Sequence, residues 1–563
     1  MESLVSMLYD IATLLELLEE NPLKIRAIQS AARALDNAGL TALGLSEILS
    51  VPGVGKGTGE LIAEFLETGS ITQYHDLLER VPESVLAMTR LRGLGAKKVR
   101  ILWRELGIHS IAELTTSCEA GKVAALKGFG AKTQANILES IAQYRSAESH
   151  FHLHKAMREA QHICEALRKY EVVQAAEICG ELRQGEETVS QIVLLISCSD
   201  VEGLQKRIAD NTDELAAIVT NIQWEGAVMR AVSALGIPVL VECTAQDTFA
   251  LRSHELSSRA SFHQAFVQIL SSTGIFNGST QSSKILTEQD LYQYAGLLYV
   301  PPELRIESSY LHSTDAQERL PHLVELQHLR GTLHVHSTWS DGKHSIRQMA
   351  ERAKALGYEY IALCDHSKTA VYANGLSEER VKRQHEEIDA LNAENLGIRI
   401  VKGIESDILA DGSLDYSDSF LETFEIVVAS IHSSFTLSAE AMTKRIIRAL
   451  EHPATTILGH PTGRLLLKRK SYTFDMEAVL ETAERHGKVI EINANPHRLD
   501  LSAENAAKAH RMGIMLSINT DAHNCEDLNF MGYGVQVARR AAVPYHAILN
   551  ALTWNDFSRK MLS

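Results

Sequence analysis

The chain has 563 residues, enough for about three to four domains, and its 45% hydrophobic and 22% charged residues describe a globular balance rather than a disordered one. A formal net charge of −16 excludes a cationic coat protein that holds nucleic acid by bulk attraction, so any contact with DNA or RNA has to be local. The first 150 residues are close to neutral, and the acidic surplus falls in the rest.

The opening stretch, MESLVSMLYDIATLLELLEENP, has an acidic flank and amphipathic spacing and is predicted to be a helix rather than a signal peptide. No apolar run approaches the roughly 18 to 20 residues of a membrane span. Seven cysteines are scattered without a CxxC pair, which fits mostly buried thiols in a reducing compartment. A cytoplasmic, monomeric protein without membrane contact is expected.

Residues 1–150 carry Leu, Ile and Ala at three-to-four spacing and read as helices. One unit recurs three times, as Val51-Pro-Gly-Val-Gly-Lys-Gly57, Leu91-Arg-Gly-Leu-Gly-Ala-Lys97 and Leu126-Lys-Gly-Phe-Gly-Ala-Lys132, each followed by an apolar helical stretch. This is a helix-hairpin-helix pattern. The glycine pairs Gly53/Gly55, Gly93/Gly95 and Gly128/Gly130 permit a tight turn whose N–H groups can meet a phosphate, with Lys56, Lys97, Lys98 and Lys132 beside it. Three copies point to sequence-independent binding of a DNA backbone; a helical bundle with glycine turns is the alternative.

Residues 151–315 change to mixed strand and helix, with short buried strands predicted over Ser190 to Ile196 and Ile237 to Glu242. The polar stretch 316–330 reads as a linker. From Gly331 to Ser563, β-branched runs alternate with helical segments such as Ile346 to Leu356 and Phe474 to His486, which predicts βα units and a parallel sheet or barrel.

Six strand-like runs in this last region end in metal-type side chains: His334 and His336 with Asp341, His366, Glu405, His432, His460, and Asp521 with His523. In a parallel barrel such ends converge on one mouth. A His-x-His or Asp-x-His pair on a strand points both groups to one face. Six imidazoles and three carboxylates suit Zn²⁺, Mn²⁺ or Fe and are too nitrogen-rich for a Mg²⁺ or Ca²⁺ cage. Nine ligands predict two or three ions, with Glu405 the candidate bridge. Lys368, Lys402 and Arg464 stand near the ligands in sequence and could neutralise a phosphate; Arg464 suits a two-oxygen grip.

These nine positions resemble the complete metal motif of the PHP (polymerase and histidinol phosphatase) family of phosphoesterases. The segments Gly459-His-Pro-Thr-Gly-Arg464 and Glu491-Ile-Asn-Ala-Asn-Pro496, and the domain order over essentially the whole chain, resemble the version fused to bacterial family X DNA polymerases. Thr332 departs from that pattern, where an Asp commonly precedes Leu-His. The resemblance implies a distorted β/α barrel after a nucleotidyltransferase-like middle, a 3′-to-5′ exonuclease acting on single-stranded or gapped DNA in repair, and AP-endonuclease or 3′-end-cleaning activity at the same metals. It also implies a polymerase motif in Gly180 to Ile196. There Gln191 and Val193 stand where Gly-Asp-apolar-Asp places two aspartates, and alignment puts Leu240 at the third. Without carboxylates to hold Mg²⁺ on a nucleotide, polymerisation is expected to be absent. A bifunctional polymerase and exonuclease, a histidinol-phosphatase-like small-molecule enzyme and a DNA-end binding module are the competing readings.

Overall fold

The computed structural model describes residues 2–38, 51, 53–91, 93–210, 214–273, 287–314, 318 and 320–562. The chain divides into two compact units, Met1–Ser149 and His150–Ser563. Among the described residues no helix is long and apolar enough to cross a membrane, and all seven cysteines are free, six of them buried.

The first unit is entirely helical among its described residues. The hairpin repeats fall at the starts of helices Lys56–Thr68, Ala96–Leu106 and Gly130–Glu148. Leu94 and Phe129, each between two hairpin glycines, are buried in the same core as Ile62, Val99 and Leu102. An apolar residue between glycines therefore pins each of these turns to the bundle while the glycines stay at the surface. Pro52 and Arg92 of the repeats lie outside the described residues.

The second unit opens with a five-stranded sheet of β1 (Val173–Cys179), β2 (Ile192–Cys198), β3 (Val219–Glu225), β4 (Val228–Ser233) and β5 (Pro238–Thr244). Its order is β1-β2-β5-β4-β3, with β2 and β5 parallel and the other pairs antiparallel. Every residue of β2 is buried, as expected for the central strand of a covered sheet.

The expected linker is not loose. Residues 315–317 and 319 lie outside the description, but Leu320, Leu323, Val324 and Leu329 are buried, and the Val324 N–H donates to the Val543 carbonyl at 3.1 Å. The polar residues of this stretch hid an apolar set that fastens it to the region that follows.

That region is a barrel of seven parallel strands in chain order: β6 (Gly331–Val335), β7 (Tyr360–Leu363), β8 (Arg399–Asp407), β9 (Ile426–Ser430), β10 (Ile457–Leu458), β11 (Val489–Asn493) and β12 (Leu516–Asn519). It is nearly closed where the His336 N–H reaches the Ala522 carbonyl at 2.8 Å. Leu333, Tyr360, Ala362, Val401, Val428, Ile457 and Val489 fill its interior, and Phe557 of the last helix stacks on Tyr360 at the start of β7. Packing at the beginnings of the strands leaves their C-terminal ends for chemistry.

Candidate metal centre

The nine histidines and carboxylates come together at the C-terminal mouth of the barrel. His334 and Glu405 lie on β6 and β8; His336, His366, His432, His460, Asp521 and His523 follow the ends of strands, and Asp341 lies on the loop after β6. Three overlapping sets have their ligand atoms within 4.8 Å of one another: His336, Asp341, His366 and His523; His334, His336 and Asp521; His366, Glu405 and His432. His460 joins them, with Nε2 2.8 Å from Glu405 Oε1. Glu405 is central: His432 Nε2 and His334 Nε2 lie 3.2 and 3.4 Å from Oε1, and His366 Nδ1 2.8 Å from Oε2.

These residues fit divalent ions. His334 Nε2 and Glu405 Oε2 are buried and make no hydrogen bond to a described residue, although both point into the cluster; orphaned buried atoms of this kind call for a partner of another type. The charges agree. Burial raises the Glu405 carboxyl, but the His432, His366 and His334 imidazoles around it hold it well below the ordinary range. Burial likewise opposes charge on His432 and His523, yet Glu405 and Asp407 raise the first to about 10, and Asp341 and Asp521 the second to about 9. The negative field that retains those protons equally favours a divalent cation, whose binding expels them. Two of the candidate ligands, His460 and Asp521, adopt left-handed backbone with φ of 25° and 52°, the kind of local strain that concentrates at functional sites. Gly459 is required beside His460, because a Cβ there would lie 2.6 Å from Val428 Cγ1.

A second layer that the residue pattern did not reveal orients the ligands. Glu491 on β11 accepts from His334 Nδ1 at 2.8 Å and from the His460 N–H at 2.7 Å. Asp407 takes His432 Nδ1 at 2.5 Å. Asp365 accepts from the N–H and hydroxyl groups of Ser337 and Ser340, bracing the loop that carries Asp341. Thr332 plays no such part: its hydroxyl is buried without a partner among the described residues, and Glu491 supplies the orientation instead. Asp407 was legible as the second member of Glu405-x-Asp407 on one strand face. Glu491 carried a signal only as the first residue of the Glu491–Pro496 segment, and Arg498 only by lying two residues after it.

The three cations expected near the phosphate each meet another partner. Lys402 alternates with the inward-facing Val401 and Gly403, sits between the outward Ile400 and Ile404, and pairs with Asp389 at 2.7 Å on the outside of the barrel. Arg464 donates through Nη2 to Glu187 at 2.7 Å and to the Leu499 carbonyl, and through Nε to the Arg498 carbonyl. Lys368 lies over the Tyr416 ring. A cation that does reach the mouth is Arg498, whose Nε is 3.4 Å from Asp521 Oδ2.

Comparison with known proteins agrees with this architecture. The chain is 35% identical over 567 residues to the DNA polymerase/3′-5′ exonuclease PolX of Bacillus subtilis (strain 168), covering 99% of this chain and 98% of that one. The chain belongs to the PolX family. Its residues 332–495 match the PHP domain, 2–71 the helix-hairpin-helix domain and 85–143 the SAM-like helix-hairpin-helix tandem. The barrel is also 31% identical over 229 residues to a probable phosphatase of Thermoanaerobacter sp. (strain X514), covering 38% of this chain and 88% of that protein. It is therefore an enzyme with a PHP phosphoesterase domain.

In this PolX chain the middle sheet carries no carboxylate at the three aligned positions. Val193 on β2 and Leu240 on β5 are direct register partners, and with Cys179, Leu195 and Phe249 they form a separate apolar cluster. Gln191 is exposed just before β2. The nearby carboxylates are engaged: Glu242 is gripped by Arg252 at 2.5 and 2.7 Å, Glu186 by Arg540, Glu187 by Arg464, and Asp200 caps a helix.

The PolX hairpins differ among themselves. Gly53 and Gly93 take φ of 107° and 81°, and Gly55 and Gly95 then start helices with no side-chain cap, leaving N–H groups outward. In the third copy both Gly128 and Gly130 are left-handed, at 91° and 70°, so the turn is not the same. Lys56, Lys97 and Lys132 are exposed, whereas Lys98 donates to the Gly93 carbonyl at 3.0 Å and braces its own turn.

Proposed function

We propose that this PolX-family chain is a metal-dependent 3′-to-5′ DNA exonuclease of DNA repair whose middle region has lost polymerase activity. The observation that carries the reading is the contrast between three interlocking ligand sets in the barrel and an apolar cluster at the aligned polymerase positions. His336, Asp341, His366 and His523 would hold one ion, with His334, Asp521, Glu405, His432 and His460 holding one or two more, Mn²⁺, Zn²⁺ or Fe by their donor type. Bound ions of this kind supply hydroxide near neutral pH and a positive clamp on the phosphodiester. Glu405, with four imidazoles around its two oxygens, would be shared between them. Glu491 and Asp407 fix the imidazoles, and Arg498 offers a cation at the mouth. The hairpins hold the DNA backbone through outward N–H groups and Lys56, Lys97 and Lys132.

The test is a nuclease assay of the full chain with Mn²⁺, Zn²⁺ or Fe²⁺ on single-stranded, 3′-recessed and gapped DNA, alongside primer extension with Mg²⁺ or Mn²⁺. Release of nucleotides from 3′ ends without incorporation is expected. Incorporation abolished by Glu242→Ala would overturn the loss of polymerisation. Hydrolysis of sugar phosphates with no action on DNA would establish the small-molecule reading that the phosphatase relatives suggest.

A further inference from the structure

Beyond the ligand candidates, the rim of the mouth carries further aromatic and cationic groups. Val371 is 82% exposed and Tyr372 71%, on the loop after His366. The Tyr372 ring is 6.1 Å from His366 and 6.4 Å from His432, so it overhangs the ligands. Its turn is braced: the Asn374 side chain donates to the Trp339 and Ser340 carbonyls, and Arg380 to the Asn374 and Gly375 carbonyls. An aromatic ring in water on a rigid base stabilises nothing in the fold and is preorganised to stack on something else.

Across the mouth, Arg498 is within electrostatic reach of Tyr372. Its neighbour His497 packs its ring 4.6 Å from His152 and 4.9 Å from His154, at the start of the middle region. Burial first, then Lys155 and Lys468, keeps His497 below its ordinary pKa, and Arg158 adds to the positive field at His154. Lys155, Arg158 and Lys468 have no carboxylate partner among the described residues. Asp527, the acid nearest His497 in charge, already accepts from the His523 N–H and the Asn524 amide. In a chain of net charge −16, these cations belong to the segments that meet at His497, whose ring packs on His152 and His154 and whose carbonyl accepts from the Leu466 N–H at 2.7 Å.

We propose that this rim is the path of a single DNA strand, with the 3′-terminal base stacked on Tyr372 and the following phosphates held by Arg498, Lys468, Lys155 and Arg158. A positive groove interleaved with aromatic faces is the chemistry by which proteins hold single strands without reading sequence. The inference rests on the DNA-hydrolase reading and gives the middle region a task in place of polymerisation.

The experiment uses the full Mn²⁺-loaded chain and two ratios. In the combined Lys155→Glu, Arg158→Glu, Lys468→Glu variant, kcat/KM for a strand of about 20 nucleotides relative to a dinucleotide should fall at least about tenfold, because three phosphate contacts are reversed in sign. In Tyr372→Ala the preference for a terminal nucleotide over an abasic 3′ terminus should fall about tenfold, and Tyr372→Phe should keep it, since the ring face does the stacking. General damage to the metal centre would lower both members of each ratio alike. Unmoved ratios in a protein that does degrade DNA would overturn the path and leave the hydrolase standing. Wild-type protein that cleaves sugar phosphates but no DNA would remove the hydrolase reading and the path with it.

Discussion

The barrel and the middle sheet present the same opportunity to a chemist: adjacent parallel strands with neighbouring side chains aimed at a common space. In the barrel that space is filled by Glu405, Asp521 and six histidines, all of them largely buried except His523. In the middle sheet it is filled by Val193, Leu240 and Phe249. Burying an apolar side chain stabilises a fold by about 1.5–3 kcal/mol with no partner needed, whereas a buried carboxylate costs several kcal/mol unless a cation answers it. The middle sheet is thus stable without an ion, and the barrel mouth is built around one. Backbone placement offers a site, and side-chain chemistry decides whether it is one.

The comparison can be broken or sharpened by substitution. The largest effect is expected at the ligands: His336→Ala or Asp341→Ala should lower hydrolysis at least about a thousandfold, from the loss of several kcal/mol of charge stabilisation, while DNA affinity by fluorescence anisotropy hardly changes. Equal loss of both would mean that the cluster mainly holds the fold. Next, Val193→Asp should cost about 3 kcal/mol in urea unfolding, since it places an unpaired carboxylate in an apolar cluster. If it is tolerated, and together with Gln191→Asp and Leu240→Asp yields Mg²⁺-dependent incorporation, the middle sheet is a dormant polymerase rather than a scaffold. Glu491→Gln should weaken metal binding about 10- to 100-fold, read by metal content after dialysis; unchanged content would demote the orienting layer. Smallest is Arg464→Ala, expected to cost about 1.5 kcal/mol of stability through its lost charged hydrogen bonds, with hydrolysis reduced less than the ligand variants reduce it. A loss as large as theirs would return Arg464 to the phosphate-binding role.

What could be read in advance follows from the range of the forces. The nine candidate ligands could be read in advance because all but Asp341 close a β-branched run or follow its end, and parallel strands must end on one side. Lys402 misled because proximity in sequence ignores strand parity: three residues from Glu405 is the opposite face. The Arg464 partner Glu187 was not legible because it is 277 residues away. Leu320, Leu323, Val324 and Leu329 lie in a stretch whose polar residues read as a linker, because their apolar spacing is short and only the barrel surface gives it meaning.

The sequence by itself determined the order of the three regions, the helical hairpins, the parallel barrel and the identity of the metal-type residues, because these depend on local periodicity and on side-chain chemistry. Only the tertiary structure decided that Glu405 lies among five histidines, that Glu491 rather than residue 332 orients His334, that Arg498 is a cation at the mouth, and that Val193 and Leu240 face each other in register. Each of those facts joins segments far apart in the chain, and no local pattern encodes which distant partners a closed barrel or a sheet register will bring within 3 to 5 Å.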